Sequence, residues 1–252
     1  MPNASQVRSY ERSLERSRQS LTRADRPRTF TMSGREWDLL DEVFAPVYSP
    51  STGIALDFLG LSEPGDAVRP AGSFLEIGCG TGLIAVTAAL AGCERVVACD
   101  ISPRAVENAA INAERHGVTR RLRSLHSDLF SGIDSGERFD TIFWSSNYVL
   151  GPDDYEYKSV HERAYVDAGY QTHRRYLDQA PHWTTPNGRA LLHFSSRGDL
   201  PALYRIADEC GRVLRTVASC RVREGEYDDD MVEHMLLLIE PVGVSSSTPL
   251  AA

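Results

Sequence analysis

Glu76, Gly78, Gly80, Gly82, Asp100 and Asp128 are the residues whose types and spacing could do chemistry. The apolar run SFLEI (73–77) enters Gly78-Cys79-Gly80-Thr81-Gly82 and leaves as LIAVTAALAG. Glycines there let the backbone turn sharply and let a ligand approach without Cβ collisions. The following helix begins with free N–H groups. Gly80-Thr81-Gly82-Leu83-Ile84-Ala85 also fits a dinucleotide fingerprint. Three carboxylates point elsewhere. Glu76, two residues before Gly78, is placed to receive an ammonium group and would repel a pyrophosphate. Asp100 ends the next apolar run and can accept from two ribose hydroxyls. Asp128, in HSDLF, can accept from an adenine amine. Together they suit an amino acid that carries a ribose and adenine, with Cys79, Ile101 and Leu129 beside it as further cofactor contacts.

This order, from about residue 73 to 240, resembles the class I S-adenosylmethionine-dependent methyltransferases. The resemblance rests jointly on E-x-G-x-G-x-G, the ribose aspartate, S-D-L and F-D-x-I. FDTIFWSSNY (139–148) is similar to the F-D-x-I-x-x-N-P-P-Y stretch of the amino-methylating branch, which includes glutamine methyltransferases of release factors. The upstream VYSPST, with Tyr48, resembles that branch too. In the branch the asparagine side chain and a main-chain carbonyl accept from the substrate's NH2, and the aromatic ring stacks on the acceptor. The resemblance implies that Ser145, Asn147 and Tyr148 orient the acceptor, with Ser145 also beside the cofactor. Ser145 stands where that branch has asparagine, and Ser146 and Asn147 stand where it has prolines. Ser145 has a shorter reach and is also a donor, so Asn147 is the alternative carrier of the role.

Residues 148–182 hold Tyr148, Tyr155, Tyr157, Tyr165, Tyr170 and Tyr176 among carboxylates. Aromatic faces beside acids suit a cationic acceptor, and Tyr48, Tyr148 and Tyr170 are the expected substrate contacts. His161 and His173 are candidate bases or packing residues.

The elements that must position these groups follow from periodicity. Buried strands are predicted at 73–77, 95–99, 121–127, 141–144 and 189–195, with helices near 83–92, 103–116, 162–180 and 200–210. Such alternation predicts a Rossmann-like, doubly wound α/β fold with a mostly parallel seven-stranded sheet. Strands at 213–222 and 231–240, joined by EGEYDDD, are predicted to pair antiparallel. Helices are predicted at 5–23, from Val7, Tyr10, Leu14 and Leu21, at 35–44 and at 53–61, with a loop over 63–72. The organisation expected is a helical extension (1–62), a cofactor-binding domain (63–242) and a disordered tail (243–252).

The 252 residues are 42% hydrophobic and 25% charged, ordinary values that allow a sizeable core. No apolar run reaches membrane-spanning length and MPNASQVRSYERS lacks a signal-peptide core, so a cytoplasmic location and no membrane partner are expected. Five cysteines without C-x-x-C spacing read as free buried thiols, and the seven histidines show no metal-binding pattern. The net charge is −8, yet residues 1–35 hold eight arginines against Glu11, Glu15 and Asp25. The acidic remainder argues against nucleic acid as partner and for a small-molecule or peptide acceptor. The basic arm keeps protein or RNA methylation as the rival, and a non-catalytic binding module is the reading from another class. The first helix is expected to pack on the domain, as a lid or as a homodimer contact.

Overall fold

The computed structural model describes residues 4–62, 70–224 and 231–243, with side chains from Tyr10 onward. Most of the predicted 63–72 loop, the EGEYDDD turn beyond Glu224, the tail from residue 244 and the Val7 side chain lie outside the described residues. The chain opens with α1 (Ala4–Thr22), β1 (Thr29–Met32), β2 (Arg35–Asp38) and α2 (Ser51–Phe58). β3 (Ser73–Ile77), α3 (Leu83–Leu90), β4 (Arg95–Asp100), α4 (Pro103–Arg115) and β5 (Leu122–His126) follow in strict alternation. Next come β6 (Phe139–Ser145), the short β7 (Leu150–Gly151) and β8 (Asp167–Ala168), α5 (Gln171–Gln179), β9 (Thr184–Ser195) and α6 (Leu200–Glu209). β10 (Arg212–Arg223) and β11 (Met231–Pro241) close the order.

The seven-stranded sheet runs β10-β11-β9-β6-β3-β4-β5. β3 to β6, β9 and β5 pair in parallel, whereas β11 is antiparallel to both β9 and β10. All five residues of β3 are buried, as a central parallel strand covered on both faces requires. Phe74 and Phe143 face one core with α2, α3 and α4, while Leu75, Ile142 and Trp144 face the other with α5 and α6. Burying each such side chain contributes about 1.5–3 kcal/mol. The chain crosses from one side of β3 to the other between β5 and β6. That switch point opens a crevice at the carboxyl ends of β3, β4 and β6.

Two predicted helices differ in the structure, one absent and one shortened. At 35–44 the chain instead completes a hairpin: Ser33 and Gly34 have φ of 52° and 68°, a two-residue turn whose twist suits flanking strands. Phe30 pairs with Trp37 in that hairpin and both are buried. The hairpin is clamped from α4. Asn112 accepts from Asp38 N and Asn108 from Leu40 N, each at 2.8 Å, while their amides donate to the Asp38 carbonyl. The expected helical extension is therefore a helix, a hairpin and a second helix. The predicted 162–180 helix is broken as well. Gly169 and Tyr170 take left-handed backbone (φ 55° and 51°), so only Gln171–Gln179 is α-helical.

Candidate active site

The crevice is a cavity of about 870 Å³, ample for a small-molecule ligand. One half is built by the glycine loop. Gly78, Gly80 and Gly82 all have positive φ (65°, 53° and 75°), and the loop turns over the end of β3. The Cys79 N–H donates to Cys99 O at 3.0 Å and the Gly80 N–H to Asp100 Oδ2 at 2.9 Å. Ser102 N donates to Asp100 Oδ1 at 2.8 Å, and the Ile101 N–H also acts on this carboxylate, so backbone donors fix its orientation at the end of β4. Glu76 is buried and accepts from Ala85 N at 2.8 Å. Burial, reinforced by the Asp100 charge, pushes the Glu76 carboxyl well above its usual range, and burial raises Asp100 too. Among the described residues neither acid has a salt-bridge partner. Two neighbouring acids without a cation fit a ligand that brings its own positive charge.

Not every predicted cofactor residue touches this space. Cys79, Ile101 and Leu129 line it, with the Cys79 thiol pushed up by burial and Leu129 at φ 52°. Asp128 sits at the rim, 2.9 Å from Arg175 in an exposed ion pair, so a ligand amine would share it with that guanidinium. Gly82 does not line the cavity. A Cβ there would lie 2.6 Å from Ala109 Cβ, so Gly82 lets α3 approach α4. Cys79, Cys93 and Cys99 are buried and outside any disulfide, but Cys210 and Cys220 are only partly buried.

The other half begins where β6 ends. Ser145 Oγ lies 3.1 Å from His193 Nδ1, and the Ser146 hydroxyl donates to His193 O at 3.0 Å. The Asn147 amide donates to the carbonyls of Arg163 (2.7 Å) and Val166 (2.9 Å). Two carbonyls on its nitrogen fix the orientation of that amide, and Oδ1 is left buried without a partner in a residue that lines the cavity. Tyr148 and Tyr48 line it too. The Tyr148 ring sits edge-on to Phe194 and His234, and burial raises its hydroxyl to about 12. Arg23 lies over the Tyr48 ring at 4.8 Å. Tyr170 is different. It is fully buried behind the wall, its hydroxyl donating to Tyr148 O and accepting from Asp199 N, so it braces the acceptor loop without meeting the cavity.

Helix α1 closes this side. Leu14 packs on Val149 and Val166, with Tyr10 and Tyr148 beside them. Ser17 Oγ lies 2.8 Å from His161 Nδ1. His161 lines the cavity with a buried, unpartnered Nε2, and burial followed by the Arg26 charge lowers its pKa to about 4. His173 lies in the core against Trp144, 2.6 Å from Asp167, and does not line the cavity. Sequence reasoning missed His193, His234 and Glu224, which stand in line behind Ser145. Their signal was a single histidine in each of two apolar strands, RALLHFS and MVEHMLLL.

With this geometry in place, residues 74–165 match the family model described as a methyltransferase domain. Over those residues the chain carries a methyltransferase domain. It is 43% identical over 67 residues to a ribosomal protein L11 methyltransferase of Pelotomaculum thermopropionicum, covering 27% of this chain and 22% of that protein. It is 32% identical over 184 residues to a bifunctional methyltransferase of Rickettsia felis, covering 69% of this chain and 32% of that protein. The chain thus spans about a third or less of the length of these relatives. In fold it is similar to Trm5b from Pyrococcus abyssi, with a TM-score of 0.55 at 16% identity over 84% of this chain and 55% of that one. The cofactor of this methyltransferase domain is S-adenosylmethionine, and the two uncompensated acids suit its ammonium and sulfonium charges. No helix among the described residues is long and apolar enough to cross a membrane.

Proposed function

We propose that this chain transfers a methyl group from S-adenosylmethionine to the nitrogen of a small-molecule or peptide acceptor held under α1. The observation that carries the reading is Asn147, a residue lining the cavity: its amide nitrogen is spent on two backbone carbonyls and its oxygen is buried without a partner. Such an oxygen costs roughly 1–3 kcal/mol unless a donor meets it, and an acceptor N–H is a donor. Glu76, the glycine loop and Asp100 hold the cofactor, with Asp128 at the rim. When bound, S-adenosylmethionine supplies a cationic sulfonium with a neutral leaving group. The chain's own task is then mainly proximity and alignment. Asn147 and Ser145 hold the acceptor nitrogen, Tyr48 and Tyr148 flank the acceptor, and α1 excludes water. Burial keeps His161 uncharged at neutral pH, so it lines the acceptor space as a neutral ring.

A second reading, a protein or RNA acceptor, is favoured by Arg12, Arg16 and Arg23, which carry positive charge along the cavity side of α1. It also has the L11 methyltransferase among the relatives. Incubation with methyl-labelled S-adenosylmethionine and a panel of primary amines, amides, alcohols, peptides and tRNA separates the readings. Label on a small nitrogen acceptor supports the first. Label confined to tRNA or large protein supports the second, and label on oxygen alone overturns nitrogen transfer.

A further inference from the structure

From Ser145 a row of polar side chains runs through two buried histidines to Glu224, which with Arg197 lines the cavity as well. Ser145 Oγ lies 3.1 Å from His193 Nδ1, His193 Nε2 lies 2.9 Å from His234 Nδ1, and His234 Nε2 lies 2.7 Å from Glu224 Oε1. Both histidines are fully buried, on adjacent antiparallel strands. Glu224 lies just past β10, where Arg197 Nε donates to its other oxygen at 2.7 Å. Among the described residues, Arg16 from α1, Arg223 and Tyr148 line the cavity near this end. Phe58 meets His193 edge-on.

The direction of these bonds can be worked out. Burial alone would raise the Glu224 carboxyl, but its bonds from His234 and Arg197 outweigh that and hold it low, so it is a carboxylate. A carboxylate only accepts. His234 Nε2 must therefore donate to it. With its one ring proton on Nε2, His234 presents a bare Nδ1, which accepts from His193 Nε2–H. Burial lowers His193 to about 3, so its ring is neutral. Its bare Nδ1 accepts the Ser145 proton.

We infer that His193, His234 and Glu224 form a polarised positioning chain that commits the Ser145 hydroxyl to donating backward, leaving its lone pairs as an acceptor toward the cavity. Asn147, whose Oδ1 is buried without a partner, lines the same cavity, so the two residues offer two acceptors. They match a group with two N–H donors, which makes the methyl acceptor a primary amine or primary amide, in preference to a hydroxyl or a tertiary amine. This substrate class rests on the nitrogen-transfer reading above. The polarity of the chain does not.

The test is long-range ¹H–¹⁵N spectroscopy of the imidazoles in the full, uniformly labelled chain at pH 7.5, without any acceptor. Both His193 and His234 are expected as Nε2–H tautomers. A Glu224→Gln variant, which keeps shape but removes charge, should shift His234 toward a tautomer mixture. An Nδ1–H form at either ring in the parent, or unchanged tautomers in Glu224→Gln, overturns the chain. Because these spectra need no turnover, they fail or succeed independently of nitrogen transfer. With an acceptor from the labelled panel, Glu224→Gln should lower kcat at least tenfold while the KM for S-adenosylmethionine stays put, and Glu224→Asp should recover part of it. Equal damage to both parameters, without recovery, would mark plain structural loss and overturn the positioning role.

Discussion

Gly82 and Gly80 lie two residues apart in one loop, both with positive φ, yet they should fail in opposite ways when given a methyl group. At Gly82 a Cβ would meet Ala109 Cβ at 2.6 Å and Ala109 Cα at 2.7 Å. The obstacle includes helix backbone, which cannot rotate away. Left-handed backbone costs an alanine roughly 1–2 kcal/mol, and overpacking adds about 1–3 kcal/mol. Gly82→Ala should therefore destabilise by about 2–5 kcal/mol, which for a domain of this size lowers Tm by roughly 5–20 °C. At Gly80 nothing lies within 4 Å of the added Cβ, so only the backbone term, about 1–2 kcal/mol, applies. That Cβ enters the space assigned to the cofactor. Calorimetric melting and S-adenosylmethionine titration of both variants check the contrast. Gly82→Ala should melt earlier and Gly80→Ala should lose more affinity. Equal melting of Gly82→Ala and the parent would refute the packing role, and intact affinity in Gly80→Ala would refute the path drawn for the cofactor.

Asp100→Ala should weaken S-adenosylmethionine binding by about 1–3 kcal/mol, roughly 5- to 150-fold in Kd by titration calorimetry; a mutant that binds like the parent removes the ribose assignment. Asn147→Ala should cut kcat/KM for the nitrogen acceptor by about 1–3 kcal/mol, measured by labelled transfer, with cofactor affinity unchanged. His161 is held at about 4, below its unfolded value. Between the two values the unfolded chain binds more protons, so stability from this group falls as pH drops from about 6.5 to 4. His161→Asn should flatten the denaturant-measured stability slope in that window by up to about 1.4 kcal/mol per pH unit; parallel curves would place the ring in solvent.

The cofactor half was legible because its parts are local. Each carboxylate stands at or just past the end of its own apolar strand, and β3 is apolar throughout apart from Ser73 and Glu76 because both its faces are covered. The hairpin was misread for a physical reason. Trp37, Leu40 and Phe44 recur at helical spacing, while the competing signal was the Ser33-Gly34 turn. The broken 162–180 helix hinged on Gly169 and Tyr170, whose left-handed backbone no periodicity announces. Tyr170 shows the same limit in the site, since an aromatic in an acceptor-like segment can brace a loop from behind. His193, His234 and Glu224 come from β9, β11 and the end of β10, and only the strand order places them behind Ser145. Residue spacing along a chain does not carry that order.

The most direct measurement is a calorimetric titration of the purified chain with S-adenosylmethionine, run beside one with NAD. The geometry of Glu76, the glycine loop and Asp100 predicts uptake of one S-adenosylmethionine per chain and no heat from NAD. Uptake of NAD with none of S-adenosylmethionine would contradict the account.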